Sequence, residues 1–540
     1  MQPSRNDSAS GFLRVGRAVS ALALGVLAAL PLWSFFGVET VLAARAIVAA
    51  TAALAVVAPT SGLLLCAGLL PLTGPLSAFL GSQAPFSLGE PLVLAFLAGW
   101  LVRMAVAPGT PAGVPRRGIL APAIALAAVV TASAAVQLHA IQPDIARSGP
   151  VAASAFGFTV TDYFRSRETF GAIPAAAFFL EGLGLFAAAL ATGARVRGFG
   201  TRLLAMVSIG ATGVGAFSIV RLVTVSLRQE DVWTALARYI ETIRISAAFP
   251  DPNAAGSYLA MGLLAAVGVG VGTQIAATEG GPGLGGRRLD LLWLVAIPII
   301  AGGLWLTGSR AALLAAVVAS VLLLPLARRA PRSLVRSAAL AVVLALVAAL
   351  PFAAERLNPP KVTGRALPRA FSIRVEMART AGRMIASHPV FGVGVGAFFR
   401  RSAEYVTPEF RKIAPRENAH NNFLQVLAEL GIVGFVPFVW VLGAVAWAMV
   451  RPWRAGRLPA AAVGGAAGLT AFLLTSLTGH PLLIFEVATA FWIVLGAVAA
   501  LAVTERGSAR PERQSRLLAE EWVALGLAMV AIASVPFRGL

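Results

Sequence analysis

The chain has 540 residues, of which 58% are hydrophobic and 13% charged, and its mean hydropathy is +0.81. A soluble domain of this length does not carry so few charges, so the soluble classes are excluded. Its apolar segments reach the roughly 20 residues that a helix needs to cross a bilayer. They also lack the alternation of outer-membrane barrel strands. The composition therefore predicts an all-α polytopic membrane protein.

The formal net charge of +20 is concentrated in short basic clusters between the apolar segments. Such clusters mark the cytoplasmic loops of membrane proteins, so we expect no nucleic-acid partner. The lone cysteine, Cys66, excludes an intrachain disulfide. The clusters lie at residues 5–17, 103–117, 195–202, 287–288, 328–336, 451–457 and 506–516.

An even number of apolar segments lies between each two successive basic clusters, four between the first two clusters and two between each later pair. This pattern predicts about 14 transmembrane helices, within a range of about 12–15. The first segment lacks a small-residue cleavage site, so we interpret it as a span rather than a signal peptide. The predicted spans begin near Ala18, Val41, Leu63, Pro91, Ile119, Pro174, Leu203, Ala254, Leu289, Ala311, Val335, Asn422, Pro459 and Pro481.

The largest predicted external element is a basic loop from about Ala353 to Asn421. Its roughly 65 residues exceed ordinary connection lengths, which favours a functional role and an anionic partner. Helical spacing within it predicts an amphipathic helix that lies on the bilayer and ends at His388-Pro389. The predicted apolar stripe is Phe371, Val375, Ala378, Gly382 and Ile385, and the polar face is Glu376, Arg379, Arg383 and Ser387.

Three glycines follow this helix, Gly392, Gly394 and Gly396. Glycine lets the backbone approach itself or a ligand closely, so both a tight structural turn and a ligand-binding segment stay open.

Arginine occurs in two short motifs that the parity count places on the external face. Arg244 and the Asp251-Pro252-Asn253 turn precede one span, and Gly308-Ser309-Arg310 forms a minimal turn between two others. We expect packed helices to enclose Arg310, where an unpaired guanidinium would be costly and an anion would satisfy it. Guanidinium groups bind phosphate oxygens bidentately. A simple surface anchor is the alternative for either arginine.

His420 lies on the same predicted face, at the start of another span. Asn421 and Asn422 are positioned to cap that helix, whose positive end attracts anions and favours a neutral imidazole. We expect Glu429 to be structural, paired with an arginine or a backbone donor. His139, His388 and His480 are weaker candidates, and no residues show metal-ligand spacing, so no metal site is predicted.

Four stretches resemble signature regions of the O-antigen ligase family, which also includes O-antigen and exopolysaccharide polymerases and bacterial protein oligosaccharyltransferases. The resemblance covers roughly the second half of the chain. The stretches are RISAAFPDPNAAGSYLA from Arg244, LTGSRAALLA from Leu306, ASHPVFGVGVGAF from Ala386 and ENAHNNFLQVLAELGIVGF from Glu417.

The resemblance implies a membrane glycosyltransferase at the periplasmic face of the bacterial inner membrane. It implies glycan transfer from an undecaprenyl or other polyprenyl diphosphate carrier to an acceptor hydroxyl, inverting and without a metal or other cofactor. Arg244 and Arg310 would bind the diphosphate, and His420 would be the general base. The further expected substrate-binding residues are Asn253, Ser309, Asn421, Arg379, Arg383 and Glu417.

The alternative activities on this donor differ in the acceptor that they use. A lipid A core would make the protein a ligase, a growing carrier-linked polysaccharide a polymerase, and a protein side chain an oligosaccharyltransferase. A transporter or flippase for a lipid-linked sugar or small anion is a different class, as is a non-catalytic assembly factor. Transporters usually place charges near the bilayer midplane, whereas the candidate residues here share one face.

We predict five regions. They are transmembrane helices at 1–202, helices with both arginine motifs at 203–352, the large loop at 353–421, C-terminal helices at 422–503, and a basic tail with a possible extra span at 504–540.

Overall fold

Helices are the main secondary structure of the residues that the computed structural model describes, and no strand occurs among them. Those residues are 5–37, 41–80, 87–107, 117–145, 149–164, 170–229, 231–232, 234, 244–245, 248–278, 287–327 and 366–504.

Ten helices lie in the described part of the first 226 residues. A 3-10 turn at Leu70–Leu72 interrupts the third predicted span, where Pro71 removes a backbone donor. The helices are α1 (Arg5–Gly37), α2 (Leu42–Val57), α3 (Pro59–Leu69), α4 (Thr73–Phe79), α5 (Gly89–Val106), α6 (Arg117–Ala140), α7 (Gln142–Ile145), α8 (Val151–Thr161), α9 (Ala172–Gly193) and α10 (Phe199–Ser226).

The helices that carry the sequence motifs follow in the rest of the chain. They are α11 (Pro252–Thr278), α12 (Arg287–Leu306), α13 (Arg310–Ser320), α14 (Leu324–Ala327), α15 (Ala366–Ser387), α16 (Phe398–Arg401), α17 (Pro408–Arg411), α18 (Asn422–Arg454), α19 (Ala460–Thr475) and α20 (Phe485–Thr504).

Nine helices of the described part are long and apolar enough to span a membrane, and five apolar helices there are shorter. This confirms the all-α polytopic class. A helix lies at every predicted span except the one near Val335, which is outside the described residues, as is the tail after Thr504. Helix α8 was not among the predicted spans, and its 11 residues, most of them apolar, are too few to cross a bilayer. The five-region division stays a prediction.

Helices α11 and α19 approach each other closely through small residues. A Cβ on Gly268 would lie 2.6 Å from the Cα of Gly464, so only glycine at these positions lets the two backbones pack in this way. Small residues serve the same purpose in many membrane helix pairs. The contact fixes α11 beside α19 and thereby helps to place the start of α11 near the loop that follows α19.

Helix α18 is broken at Gly431, whose φ of 61° and ψ of −168° are not helical. The glycine segment fills the break, since the N–H of Ile432 donates to the carbonyl of Pro389 at 2.9 Å. A Cβ on Gly431 would collide with the Val390 carbonyl, and one on Gly392 with the Glu429 backbone. Of the two open interpretations of the glycines, the structure shows a close approach of the backbone to itself.

Helix α15 confirms the predicted helix and its end at Ser387. Of the predicted apolar stripe, Ile385 packs against the buried cluster, but Ala378 and Gly382 were placed there wrongly. Ala378 and Gly382 are exposed, whereas Met377, Ala381 and Met384 are buried. The two methionines carry the apolar face, and they were not counted in the predicted stripe. This face packs within the loop itself, against residues that include Val393, Ala397, Phe398, Val406, Phe410 and Ala419.

Candidate functional site

Arg244 is fixed against the turn that precedes α13. Its Nε donates to the carbonyl of Thr307 at 3.1 Å, and its guanidinium donates to Oδ1 of Asn253 at 2.7 Å. The backbone adds a third link, because the N–H of Ile245 donates to the carbonyl of Leu306 at 2.9 Å. These bonds bring together two arginine motifs that lie far apart in the sequence.

Asn253 joins the motifs at the start of α11. Its Oδ1 also accepts a hydrogen bond from the Ser309 hydroxyl at 3.4 Å. Asp251 caps the helix, since its carboxylate accepts from the N–H of Asn253 at 2.9 Å. Asn253 and Ser309, both predicted to bind substrate, are therefore in direct contact, and Asp251 lies next to them.

Arg310 is the first residue of α13, and its side chain is exposed. The expectation that packed helices enclose it is wrong, because the turn at Gly308 and Ser309 directs the chain so that Arg310 lies at the edge of the protein. Its guanidinium has no hydrogen bond or ion pair with any described residue. The Ser309 side chain does not cap α13, so no side-chain cap occupies this positive helix end.

Positive charge accumulates around Arg244. The pKa of its guanidinium lies below the usual value, mainly because partial burial disfavours the charged form, while Asp251 opposes the shift. Arg374 and Arg310 both add to the lowering, so both lie close enough for their charges to act on Arg244. Arg374 comes from α15 and is exposed. Sequence reasoning selected Arg379 and Arg383 from this helix and missed Arg374.

His420 has a backbone φ of 47°, and no other non-glycine residue of the described part has a positive φ. Its Nε2 lies 3.6 Å from Oε1 of Glu417. Asn421 caps α18, as predicted, accepting from the N–H groups of Phe423 at 2.9 Å and Leu424 at 3.1 Å. The left-handed conformation is costly for a residue with a side chain, so surrounding bonds must hold it.

Those bonds reach the loop after α19. The N–H of Asn422 donates to the carbonyl of Ser476 at 2.9 Å, and its Nδ2 donates to the Ser476 hydroxyl at 3.2 Å. The Asn421 side chain donates to the carbonyl of Leu477 at 3.0 Å. Asn422 is thus not a second cap, but together with Asn421 it fastens the His420 segment to the loop that contains His480.

His480 makes direct ring contact with His420. The ring centroids are 4.4 Å apart and the planes meet at 68°. On its other side, Nε2 of His480 lies 4.0 Å from Oδ2 of Asp251. The sequence placed His480 in an external turn but gave no signal for this pairing, because the contact depends on the packing of α11, α18 and α19.

Burial and the neighbouring ring lower the pKa of His480 below its usual value, burial being the larger cause. Asp251 and Glu417 oppose this shift. The side chain is 14% exposed, and its Nδ1 has no hydrogen-bond partner among the described residues. These surroundings therefore favour the neutral form of His480.

Arg379 and Arg383, which were predicted to bind substrate, form a separate network on α15. Arg383 donates to Oε1 of Glu376 at 2.8 Å and to the carbonyl of Tyr405 at 2.5 Å. Arg379 lies 3.8 Å from Oε2 of Glu376. These bonds brace the loop, and none of them reaches the histidine and arginine cluster.

Glu429 accepts backbone hydrogen bonds from Gly396 at 2.9 Å and Phe398 at 3.4 Å, which confirms the prediction of a backbone donor. His388 contacts the hydroxyls of Ser387 and Tyr405. Within the described ranges, no group of three or more His, Cys, Asp or Glu side chains has the geometry to hold a metal ion.

We use the term site cluster for the connected side chains Arg244, Asn253, Ser309, Asp251, His480, His420 and Glu417. Residues 293–439 match the family model described as O-antigen ligase. The chain therefore carries an O-antigen ligase family domain. The match includes Ser309, Arg310 and His420, whereas Arg244 and His480 lie on either side of it. A search of curated proteins finds no match to this chain.

Proposed function

We propose that this O-antigen ligase family protein is a glycosyltransferase that moves a glycan from a polyprenyl diphosphate carrier to an acceptor hydroxyl. The observation that carries the proposal is the site cluster, in which an arginine that can bind phosphate and a histidine that can accept a proton are linked through Asn253, Asp251 and His480. The donor, the direction of transfer and the residue roles are the proposed parts.

Arg244 and Arg310 bind the diphosphate of the donor. Arg244 is oriented by Asn253 and Thr307, while Arg310 has no partner in the described part of the chain and is free to turn toward a ligand. The uncapped start of α13 adds backbone donors and a partial positive charge beside Arg310. These groups offset the charge that grows on the leaving diphosphate, and such stabilisation needs no metal.

His420 is the general base. Its Nε2 faces Glu417, which leaves Nδ1 to take the proton from the acceptor hydroxyl. The acceptor oxygen attacks the anomeric carbon and forms the new glycosidic bond, while the bond from that carbon to the diphosphate breaks and the diphosphate keeps the electron pair. A single displacement inverts the anomeric configuration. The proton then leaves His420 to solvent.

The acceptor approaches from the side of the 366–421 loop. Exposed Arg379, with Arg374 nearer the cluster, supplies positive charge for a phosphorylated acceptor such as a lipid A core or for a carrier-linked polysaccharide. We place this face on the periplasmic side of the inner membrane, because the basic clusters of the sequence lie toward the other side. Ligase activity is the first candidate, and polymerase activity on the same donor is the second.

The test is glycan transfer by the purified protein in liposomes with chelator present. A purified polyprenyl diphosphate-linked glycan is the donor, and lipid A core, a second carrier-linked glycan and a peptide are separate acceptors. We expect metal-independent transfer with inversion to one acceptor, which identifies ligase, polymerase or protein transferase. Movement of the carrier across the bilayer without transfer would instead favour a flippase, and neither transfer nor movement would remove both activities.

A further inference from the structure

The two histidines of the site cluster are held together by bonds that do not involve their rings. Asn421 and Asn422 fasten the backbone beside His420 to Ser476 and Leu477 in the loop of His480. On the other side of His420, the N–H of Ala419 donates to Oε1 of Gln425 at 3.0 Å. The strained backbone of His420 is therefore fixed on both sides, and within this framework the two rings lie in contact, with their centroids 4.4 Å apart.

His480 is the inner member of the pair. Its side chain is 14% exposed against 27% for His420, so His420 is the ring that a substrate reaches more readily. Because Nδ1 of His480 is buried without a partner in the described residues, a proton there would lack an acceptor. The favoured form of His480 is the neutral tautomer with its proton on Nε2, which faces Asp251 at 4.0 Å.

A neutral inner ring suits a base that becomes charged during the reaction. When His420 takes a proton, Glu417 at 3.6 Å stabilises the imidazolium, while a second positive ring in contact would oppose it. The titratable groups around His480 are His420 and Glu417 from the segment before α18 and Asp251 before α11. Asp251 in turn lies beside Asn253, which orients Arg244.

We propose that His480 is a positioning residue for His420. Its ring, with Nε2 facing Asp251 at 4.0 Å, contacts the His420 imidazole and holds it beside Glu417 in the orientation that accepts the proton. Asp251 lies between this pair of rings and Asn253, which orients the phosphate-binding Arg244. This inference rests on the proposed function for its consequence in catalysis, but the positioning itself is a property of the resting protein and is tested without substrate.

The chain contains four histidines, which makes histidine-selective isotope labelling practical. In a nanodisc sample carrying His139→Gln and His388→Gln, NMR would report the two remaining rings separately. We expect His480 to take up its second proton at a lower pH than a free histidine does, and its neutral form to carry the proton on Nε2. Asp251→Asn should change the tautomer ratio of His480, and His480→Gln should shift and broaden the His420 ring signals. Free titration of His480, or His420 signals unaffected by His480→Gln, would overturn the proposal.

The steady-state kinetics of glycan transfer provide a second test of the positioning role. We expect His480→Ala to lower kcat by about 100-fold and His480→Gln by about tenfold, because loss of ring orientation acts on the chemical step and glutamine keeps an N–H donor toward Asp251. The donor KM should change less than twofold in both variants. A rise in KM with unchanged kcat would overturn the positioning role.

The matched control is His388→Gln, which lies outside the site cluster and should match the wild type. Thermal unfolding of each variant shows whether a loss of activity comes from misfolding. If His480→Ala misfolds, His480→Gln and the NMR measurement decide whether His480 positions His420. If the wild type transfers no glycan with any acceptor, the proposed function fails, whereas the NMR result still decides whether His480 orients His420.

Discussion

The two ends of the site cluster are built in different ways. At the arginine end, short hydrogen bonds of 2.7 and 3.1 Å fix the Arg244 guanidinium, and its charge is permanent at any accessible pH. At the histidine end, the closest charged contacts are 3.6 and 4.0 Å, and the rings can gain or lose protons. The arginine end is suited to bind a negatively charged ligand at any pH, and the histidine end is suited to accept a proton during the reaction.

If the arginine end binds the donor and the histidine end accepts the proton, replacing His420 should affect the chemical step far more than donor binding. We expect His420→Ala to lower kcat by about 10³-fold, the size typical of a lost general base, with little change in donor KM. Steady-state transfer in liposomes measures both. His388→Ala is the control, since its ring contacts only Ser387 and Tyr405 among the contacts described. Equal losses in the two variants would refute a special role for His420.

Replacing Arg310 should weaken the opposite end. We expect Arg310→Gln to reduce kcat/KM for the donor by about 100-fold, because one charge that stabilises the leaving diphosphate is lost. Arg310→Lys should recover part of this, since lysine keeps the charge but not the two-pronged donor geometry. Arg457→Gln, an exposed arginine between α18 and α19, is the matched control. Loss with the control but not with Arg310→Gln would contradict a diphosphate site.

The break in α18 at Gly431 lets the glycine segment pack against the helix that begins beside His420. We expect Gly431→Ala to cost about 1–3 kcal/mol of stability, because alanine at positive φ is strained and its Cβ would meet the Val390 carbonyl. Gly382→Ala is the control, since Gly382 is helical and a Cβ there has nothing within 4 Å. Thermal unfolding in nanodiscs measures both. Unfolding of the Gly431→Ala protein at the wild-type temperature would show that the break is not needed.

The smallest expected effect is on the pH dependence of stability. The pKa of His480 is lowered in the folded protein, so the unfolded chain binds more protons as pH falls below about 6.5. The stability contributed by neutral His480 is therefore complete above that pH and declines as pH falls through the lowered pKa. His480→Gln should flatten this part of the curve of thermal midpoint against pH. An unchanged curve would place the acid sensitivity elsewhere.

Local features of the site were predictable from the sequence. Asn421 caps α18 because its side chain directly precedes the helix, and both arginines lie beside turns whose proline, glycine and asparagine are visible in the sequence. The C-terminal end of α15 followed from the same local reasoning, and a backbone donor to Glu429 was one of the two predicted kinds of partner.

Features that depend on helix packing were not predictable. Nothing near His480 in the sequence shows that it meets His420, because three helices must pack before the rings come into contact. Arg374 was missed for the same reason: its effect on the pKa of Arg244 depends on how α15 packs, and that packing uses a buried stripe of Met377, Ala381 and Met384 that was not predicted. The exposure of Arg310 was not predictable for a related reason. The spacing of the motif did not show the path of the turn before α13.

The most direct test of the account is equilibrium binding of one donor, a purified polyprenyl diphosphate-linked glycan, to His420→Ala and Arg310→Gln in nanodiscs, measured beside their transfer rates. We expect the His420 variant to bind donor like the wild type without transferring the glycan, and the Arg310 variant to bind donor more weakly. Equal donor binding by both variants, or weak binding by the His420 variant, would contradict the division between an arginine end that binds and a histidine end that reacts.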